Sequence, residues 1–137
     1  MSKYILSKIK NRKIDIGIIG LGYVGLPLAI RFLNKNFNVQ GIEIDKHKIN
    51  LIKKGFCYIE NKKFGKNIYF KKFFKSVSSD YSVLRNVDII VICLPTPLGS
   101  KSKPDISILK NCANKIRPFL KDNQIFVLES TVYPGAT

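Results

Sequence analysis

The sequence predicts an α/β fold, a doubly wound parallel sheet with helices on both faces, and three observations carry the prediction. Apolar runs rich in β-branched residues recur at 14–19, 39–44, 87–94 and 125–128, far enough apart for a helix to lie between successive strands. Between them, stretches such as 25–34 and 107–120 carry apolar residues at helical spacing. The turn after the first run is glycine-rich and feeds directly into a helix. A short further strand is expected near Phe74 to Val77. Residues 14–137 therefore read as one domain, preceded by an extension at 1–13 and truncated after about the fifth strand.

The extension has apolar residues only at Tyr4-Ile5-Leu6 and Ile9, too few for a signal-peptide core, and reads as a short amphipathic helix docked through Tyr4, Ile5 and Ile9. Ile14 to Ile19 forms the first strand, and Gly20, Gly22 and Gly25 then fill a G-x-G-x-x-G spacing. Gly20 permits the tight turn, Gly22 removes the side chain that would hold a pyrophosphate off the backbone, and Gly25 lets helix and strand pack closely. Backbone N–H groups at Tyr23 and Val24, unpaired at the helix start, would face the phosphates. This is the opening of a Rossmann-like dinucleotide site. The helix runs from Leu26 to about Asn34–Asn36, with Pro27 tolerated in its first turn.

The second strand, Val39 to Ile44, places Glu43 18 residues after Gly25, where a carboxylate would accept hydrogen bonds from the adenosine ribose. A carboxylate there disfavours a 2′-phosphate, so NAD is preferred to NADP, although Lys46 and Lys48 follow closely. Asp45 is suited to cap a helix over Lys46 to Lys54, which Gly55 stops. Residues 56–75 read as a connector whose aromatics pack inward and whose lysines reach out. Ser79 or Asp80 caps a brief helix, Val87 to Leu94 is a buried strand, and Pro95-Thr96-Pro97 carries the chain past its carboxyl end, the ligand-binding edge of such sheets. Asp105 or Ser107 opens a helix that Pro118 bends near its end, and Glu129-Ser130-Thr131 tips the last strand.

The chain has 137 residues, 45% of them hydrophobic, and a formal charge of +15. That charge would suit nucleic acid or an anionic surface, but the lysines are scattered through the chain and read as solvated faces. A nucleic-acid partner is not expected. Cys57, Cys93 and Cys112 are far apart and match no metal spacing, so no metal is expected and a reduced, cytoplasmic protein is. His47 stands alone as a surface residue. No apolar run is long enough to span a bilayer, and no membrane partner is expected.

The sequence resembles the UDP-sugar 6-dehydrogenases of the UDP-glucose/GDP-mannose dehydrogenase family. Four motifs carry the resemblance: the glycine turn extended through Leu26-Pro27-Leu28-Ala29; Gly55-Phe56-Cys57-Tyr58-Ile59-Glu60; Leu94-Pro95-Thr96-Pro97-Leu98 with Pro104-Asp105-Ile106-Ser107; and Leu128-Glu129-Ser130-Thr131-Val132-Tyr133-Pro134-Gly135. The second and fourth look like the branch acting on UDP-N-acetylhexosamines for surface polysaccharide synthesis. The resemblance implies that the three glycines and the Tyr23 and Val24 backbone hold the pyrophosphate of NAD. It further implies that Glu43 holds the ribose, Lys48 lies near the adenosine end, Thr96 touches the nicotinamide half and Thr131 positions the hydrolytic water. Relatives often have Asp where this chain has Glu43, and Asp45 remains a rival for the ribose.

The family reaction is two hydride transfers through an aldehyde trapped by a cysteine thiolate and a thioester that water hydrolyses. Relatives carry that cysteine downstream of the residues present here, and Cys93, closing a buried strand, is not expected to replace it. The expectation is an N-terminal NAD-binding portion, inactive alone, from a protein that is a homo-oligomer at full length. The competing reading is a basic nucleic-acid-binding or scaffolding module, resting on the charge and on Tyr69-Phe70-Lys71-Lys72-Phe73-Phe74-Lys75, with Phe70 and Phe73 stacking bases.

Overall fold

A computed structural model describes residues 3–97 and 105–130. Helix α1 (Lys3–Lys10) precedes strand β1 (Asp15–Ile19), which the glycine turn joins to α2 (Gly25–Asn34) and then to β2 (Asn38–Ile42). Next come α3 (Lys46–Lys53), a small antiparallel hairpin of β3 (Phe56–Cys57) and β4 (Lys62–Lys63), and α4 (Ile68–Ser76). A 3-10 turn at Tyr81–Asn86 leads to β5 (Ile89–Ile92). Helix α5 (Ser107–Ile116), another 3-10 turn at Arg117–Phe119, and β6 (Ile125–Leu128) follow.

The strands β2, β1, β5 and β6 lie side by side in that order, all parallel. From β1 the chain winds outward to β2 on one side and later to β5 on the other, so the sheet's switch point lies between β1 and β5, where a crevice opens at the carboxyl ends. Alternation along the strands divides the core in two. Ile16 and Ile18 pack with Leu26, Ala29 and Leu33 of α2, Ile52 of α3, and Phe70 and Phe73 of α4. Ile19, Ile42 and Ile90 pack instead with Leu84, Val87, and Cys112 and Ile116 of α5. Both faces of the central strands β1 and β5 are thus covered, which is why these two read as apolar runs rather than as alternating ones, whereas Phe126 of the edge strand β6 is 47% exposed.

Several local expectations hold. Asp45 caps α3 by accepting from the His47 and Lys48 amides, and Asp80 accepts from the Ser82 amide at the 3-10 turn. Gly55 follows α3 with φ +75, the left-handed conformation that ends helices. The Asp105 carboxylate accepts from the Ser107 amide at the start of α5, and the helix gives way to the 3-10 turn around Pro118.

The stretch 56–76 differs from expectation. It holds the β3–β4 hairpin and a helix, and residues 74–76 belong to α4 rather than to a strand. Only Ser78 pairs with β2, as an isolated parallel bridge to Ile42, so the main sheet has four strands among the described residues rather than five. Asn67 makes the helix possible by accepting from the Phe70 amide at 3.0 Å. Phe73 drives it onto the sheet, where its ring sits against Gly41; a Cβ at Gly41 would lie 2.8 Å from that ring. Phe70 and Phe73 are buried, at 1% and 0% exposure. The aromatics do pack inward, and neither ring is placed to stack on a base.

Helix α1 forms as expected and buries Ile5, but Tyr4 is 67% exposed rather than docked. Beside Ile5, Lys8 ties α1 to the sheet: its ammonium pairs with the Asp88 carboxylate at 2.6 Å while Asp88 also accepts from the Asp15 amide at 2.9 Å. No helix among the described residues is long and apolar enough to cross a membrane. Because Phe73 is fully enclosed, Phe73→Ala is expected to lower the unfolding free energy by ~3–5 kcal/mol. Lys72→Ala on the outer face of the same helix should change it by less than ~0.5 kcal/mol; urea titration of both variants checks this.

Candidate functional site

The turn between β1 and α2 is shaped by two glycines that the protein itself requires. Gly20 leaves β1 with φ +88, and a Cβ there would lie 2.6 Å from the Cys93 carbonyl oxygen. At Gly25, the first residue of α2, a Cβ would lie 1.9 Å from the Gly20 carbonyl oxygen. Gly22 is different. A Cβ at that position would meet no protein atom within 4 Å, so nothing inside the fold calls for a glycine. Its bare backbone opens an approach from solvent. No side chain caps α2, and Tyr23 and Val24 beside its start are 86% and 53% exposed. An anion approaching Gly22 would therefore meet the positive end of the α2 dipole.

Glu43 stands next to this turn, although 22 residues separate it from Leu21 in sequence. Its carboxylate is 7% exposed and accepts from three amides: Leu21 at 3.0 Å, Ile44 at 2.9 Å and Asp45 at 3.0 Å. Asp45 instead accepts from the His47 and Lys48 amides at 2.8 and 3.3 Å. Both acids are thus engaged with backbone, and Glu43 is the one bonded to the glycine turn. A cleft of about 210 Å³ opens beside Gly20 and Glu43, with Ile44, Tyr81, Leu94 and Ile108 among its walls.

Tyr58 also reaches the turn, by donating its hydroxyl to the Leu21 carbonyl oxygen. Burial, reinforced by the negative charge of Glu43, raises the Tyr58 pKa well above the usual phenol value, so the group is a donor throughout the neutral range. The Lys48 ammonium lies 5.9 Å from the centre of the Tyr58 ring. Lys48 is thereby brought near the turn. The sequence offers no signal for this, since 37 residues separate Tyr58 from Leu21.

Thr96 is half-buried in the turn that follows β5, the strand paired with β1. The tips of β5 and β6 are tied by the Ser130 hydroxyl, which donates to the Leu94 carbonyl at 2.7 Å. Thr131 lies outside the described residues. The turn thus gathers Gly20, Gly22, Tyr23, Val24, Gly25 and Glu43, with Lys48 linked through Tyr58 and Thr96 on the neighbouring strand end.

Cys57, Cys93 and Cys112 are all buried and unpaired. Burial pushes the Cys93 thiol up to about 11, so at neutral pH it is protonated and a poor nucleophile. These contacts predict a contrast. Gly25→Ala should cost on the order of 3 kcal/mol because the clashing atom is backbone, whereas Gly22→Ala should leave stability within ~0.5 kcal/mol of the parent; thermal melts of the two variants test it.

Known proteins share this arrangement of elements. The chain is 36% identical over 127 residues to Protein CapL of Staphylococcus aureus, covering 90% of this chain and 28% of that protein. It is 34% identical over 143 residues to the UDP-N-acetyl-D-mannosamine dehydrogenase of Methanococcus vannielii, covering 100% of this chain and 32% of that protein. The solved native structure of the UDP-N-acetyl-mannosamine dehydrogenase Cap5O from Staphylococcus aureus superposes with a TM-score of 0.71 at 28% identity, over 88% of this chain and 29% of that one. The chain spans less than a third of the length of each. The sequence profile of the UDP-glucose/GDP-mannose dehydrogenase family, NAD binding domain, matches residues 14–137, and the chain belongs to that family.

Proposed function

We propose that the chain supplies the NAD site of a dehydrogenase that oxidises the C6 alcohol of a UDP-N-acetylhexosamine to the uronic acid, a building block for surface polysaccharide. The observation that carries the cofactor reading is the open approach to Gly22. The fold encloses Gly20 and Gly25 but leaves the backbone between them bare, beside an uncapped helix start and a carboxylate. The substrate reading rests on the UDP-N-acetylmannosamine dehydrogenases among the similar proteins.

In this reading the amides of Gly22, Tyr23 and Val24 hold the diphosphate, and Glu43 accepts from the adenosine ribose hydroxyls through lone pairs not used by its three amide donors. The same carboxylate would repel a 2′-phosphate, which favours NAD over NADP. Lys48 stands at the adenosine end and the cleft beside Glu43 takes the base. Thr96 meets the nicotinamide half, and Thr131 positions the hydrolytic water. NAD, when bound, accepts hydride from the substrate carbon. The thiolate that traps the aldehyde comes from residues beyond this chain, because each cysteine here is buried. Three unpaired thiols fit a cytoplasmic setting, and the full-length protein is a homo-oligomer in this reading.

Calorimetric titration of the chain with NAD should show one site. Gly22→Val should abolish measurable binding without lowering the melting temperature. Glu43→Gln, which keeps an acceptor oxygen but not the charge, should weaken NAD by ~10-fold or more. A folded parent chain that binds no NAD overturns the assignment.

A further inference from the structure

The peptide unit joining Leu21 to Gly22 has a feature that the glycine motif does not account for. A peptide is planar, so the Leu21 carbonyl and the Gly22 N–H point in opposite directions and turn together. Tyr58 donates its hydroxyl to that carbonyl, and on the preceding peptide Glu43 accepts from the Leu21 N–H at 3.0 Å. Leu21 itself is completely buried. Gly22, lacking a Cβ and with no protein atom within 4 Å of where one would be, has no side chain to resist rotation about this unit, and its own carbonyl is held by the Leu26 amide at 3.1 Å only on the peptide that follows.

We propose that Tyr58 is a positioning residue for the diphosphate: by holding the Leu21 carbonyl it fixes the direction in which the Gly22 N–H points. This rests on the NAD reading above and adds to it a group outside the turn and outside the segment after β2 that carries Glu43. Tyr58 lies just past β3, in the loop of the β3–β4 hairpin. The raised phenol pKa keeps the donor protonated where the carbonyl needs it. The Tyr58 ring also lies against the Lys48 ammonium, so one side chain links the two ends of the adenosine diphosphate site.

The test compares ligands with and without the diphosphate. In the 137-residue chain, Tyr58→Phe should weaken NAD and ADP to a similar degree, ~3- to 10-fold, while adenosine binding is unchanged. The Gly22 amide resonance, assigned by nuclear magnetic resonance in the absence of ligand, should shift or broaden in the variant while those of β5 and β6 stay in place. Equal weakening of adenosine would mean a general disturbance of the site and overturns the proposal, as does unaltered ADP affinity. If the parent chain binds none of the three ligands, the NAD reading fails; the Gly22 resonance still decides the positioning role, which an unshifted signal in Tyr58→Phe overturns. Should Tyr58→Phe unfold, Tyr58→His, which retains a ring and a donor, replaces it and is expected to show the same diphosphate-selective loss in smaller degree; a loss shared by adenosine again overturns the role.

Discussion

The site is organised by the contact between the start of α2 and the end of β1, where no room exists for even a methyl group between Gly25 and the Gly20 carbonyl. Close approach there sets the angle at which α2 leaves the sheet and thus where its amino end points. It also places Leu21 in the core, which forces the chain to present Gly22 outward. Packing demands at two glycines therefore leave open space beside the third. The hydrogen bonds from Leu21 N–H to Glu43 and from Tyr58 to the Leu21 carbonyl then hold the turn in that shape.

Much of this was legible because steric rules operate over short spans of sequence. The strand, glycine turn and helix at 15–34 follow from residues that touch their near neighbours, as do the caps at Asp45 and Asp80. The stretch 56–76 was harder to read. Its strands β3 and β4 are two residues each, too short for any alternation to register, and α4 is dominated by aromatic residues, whose helix preference is modest. Its signals were the capping Asn67 and the buried pair Phe70 and Phe73, three residues apart as a helix face requires. Where a strand was expected at Phe74 to Val77, α4 runs through Ser76 and packs Phe73 against Gly41 of β2.

At the site, the spacing between Gly25 and Glu43 identified the acid correctly as a neighbour of the turn. It did not reveal that the carboxylate is already bonded to three amides. That arrangement is a tertiary product of β2 ending beside β1, as is the contact with Tyr58. Tyr58 lies within the Gly55-Phe56-Cys57-Tyr58-Ile59-Glu60 motif, but spacing along the chain carries no information about an oxygen that lies against it from 37 positions away.

The pairing of Lys8 with Asp88 bears on how the N-terminal helix relates to the rest. Asp88 sits at the amino end of β5 and also secures the first amide of β1, on the side of the sheet opposite the glycine turn. Residues 1–13 fall outside the matched segment, yet α1 supplies the counter-ion of this half-buried acid and a lid, Ile5, over the core. Trimming the protein to the segment that the family profile matches would strip the base of two central strands of its charge balance, and the damage would begin at the end of the sheet opposite the glycine turn.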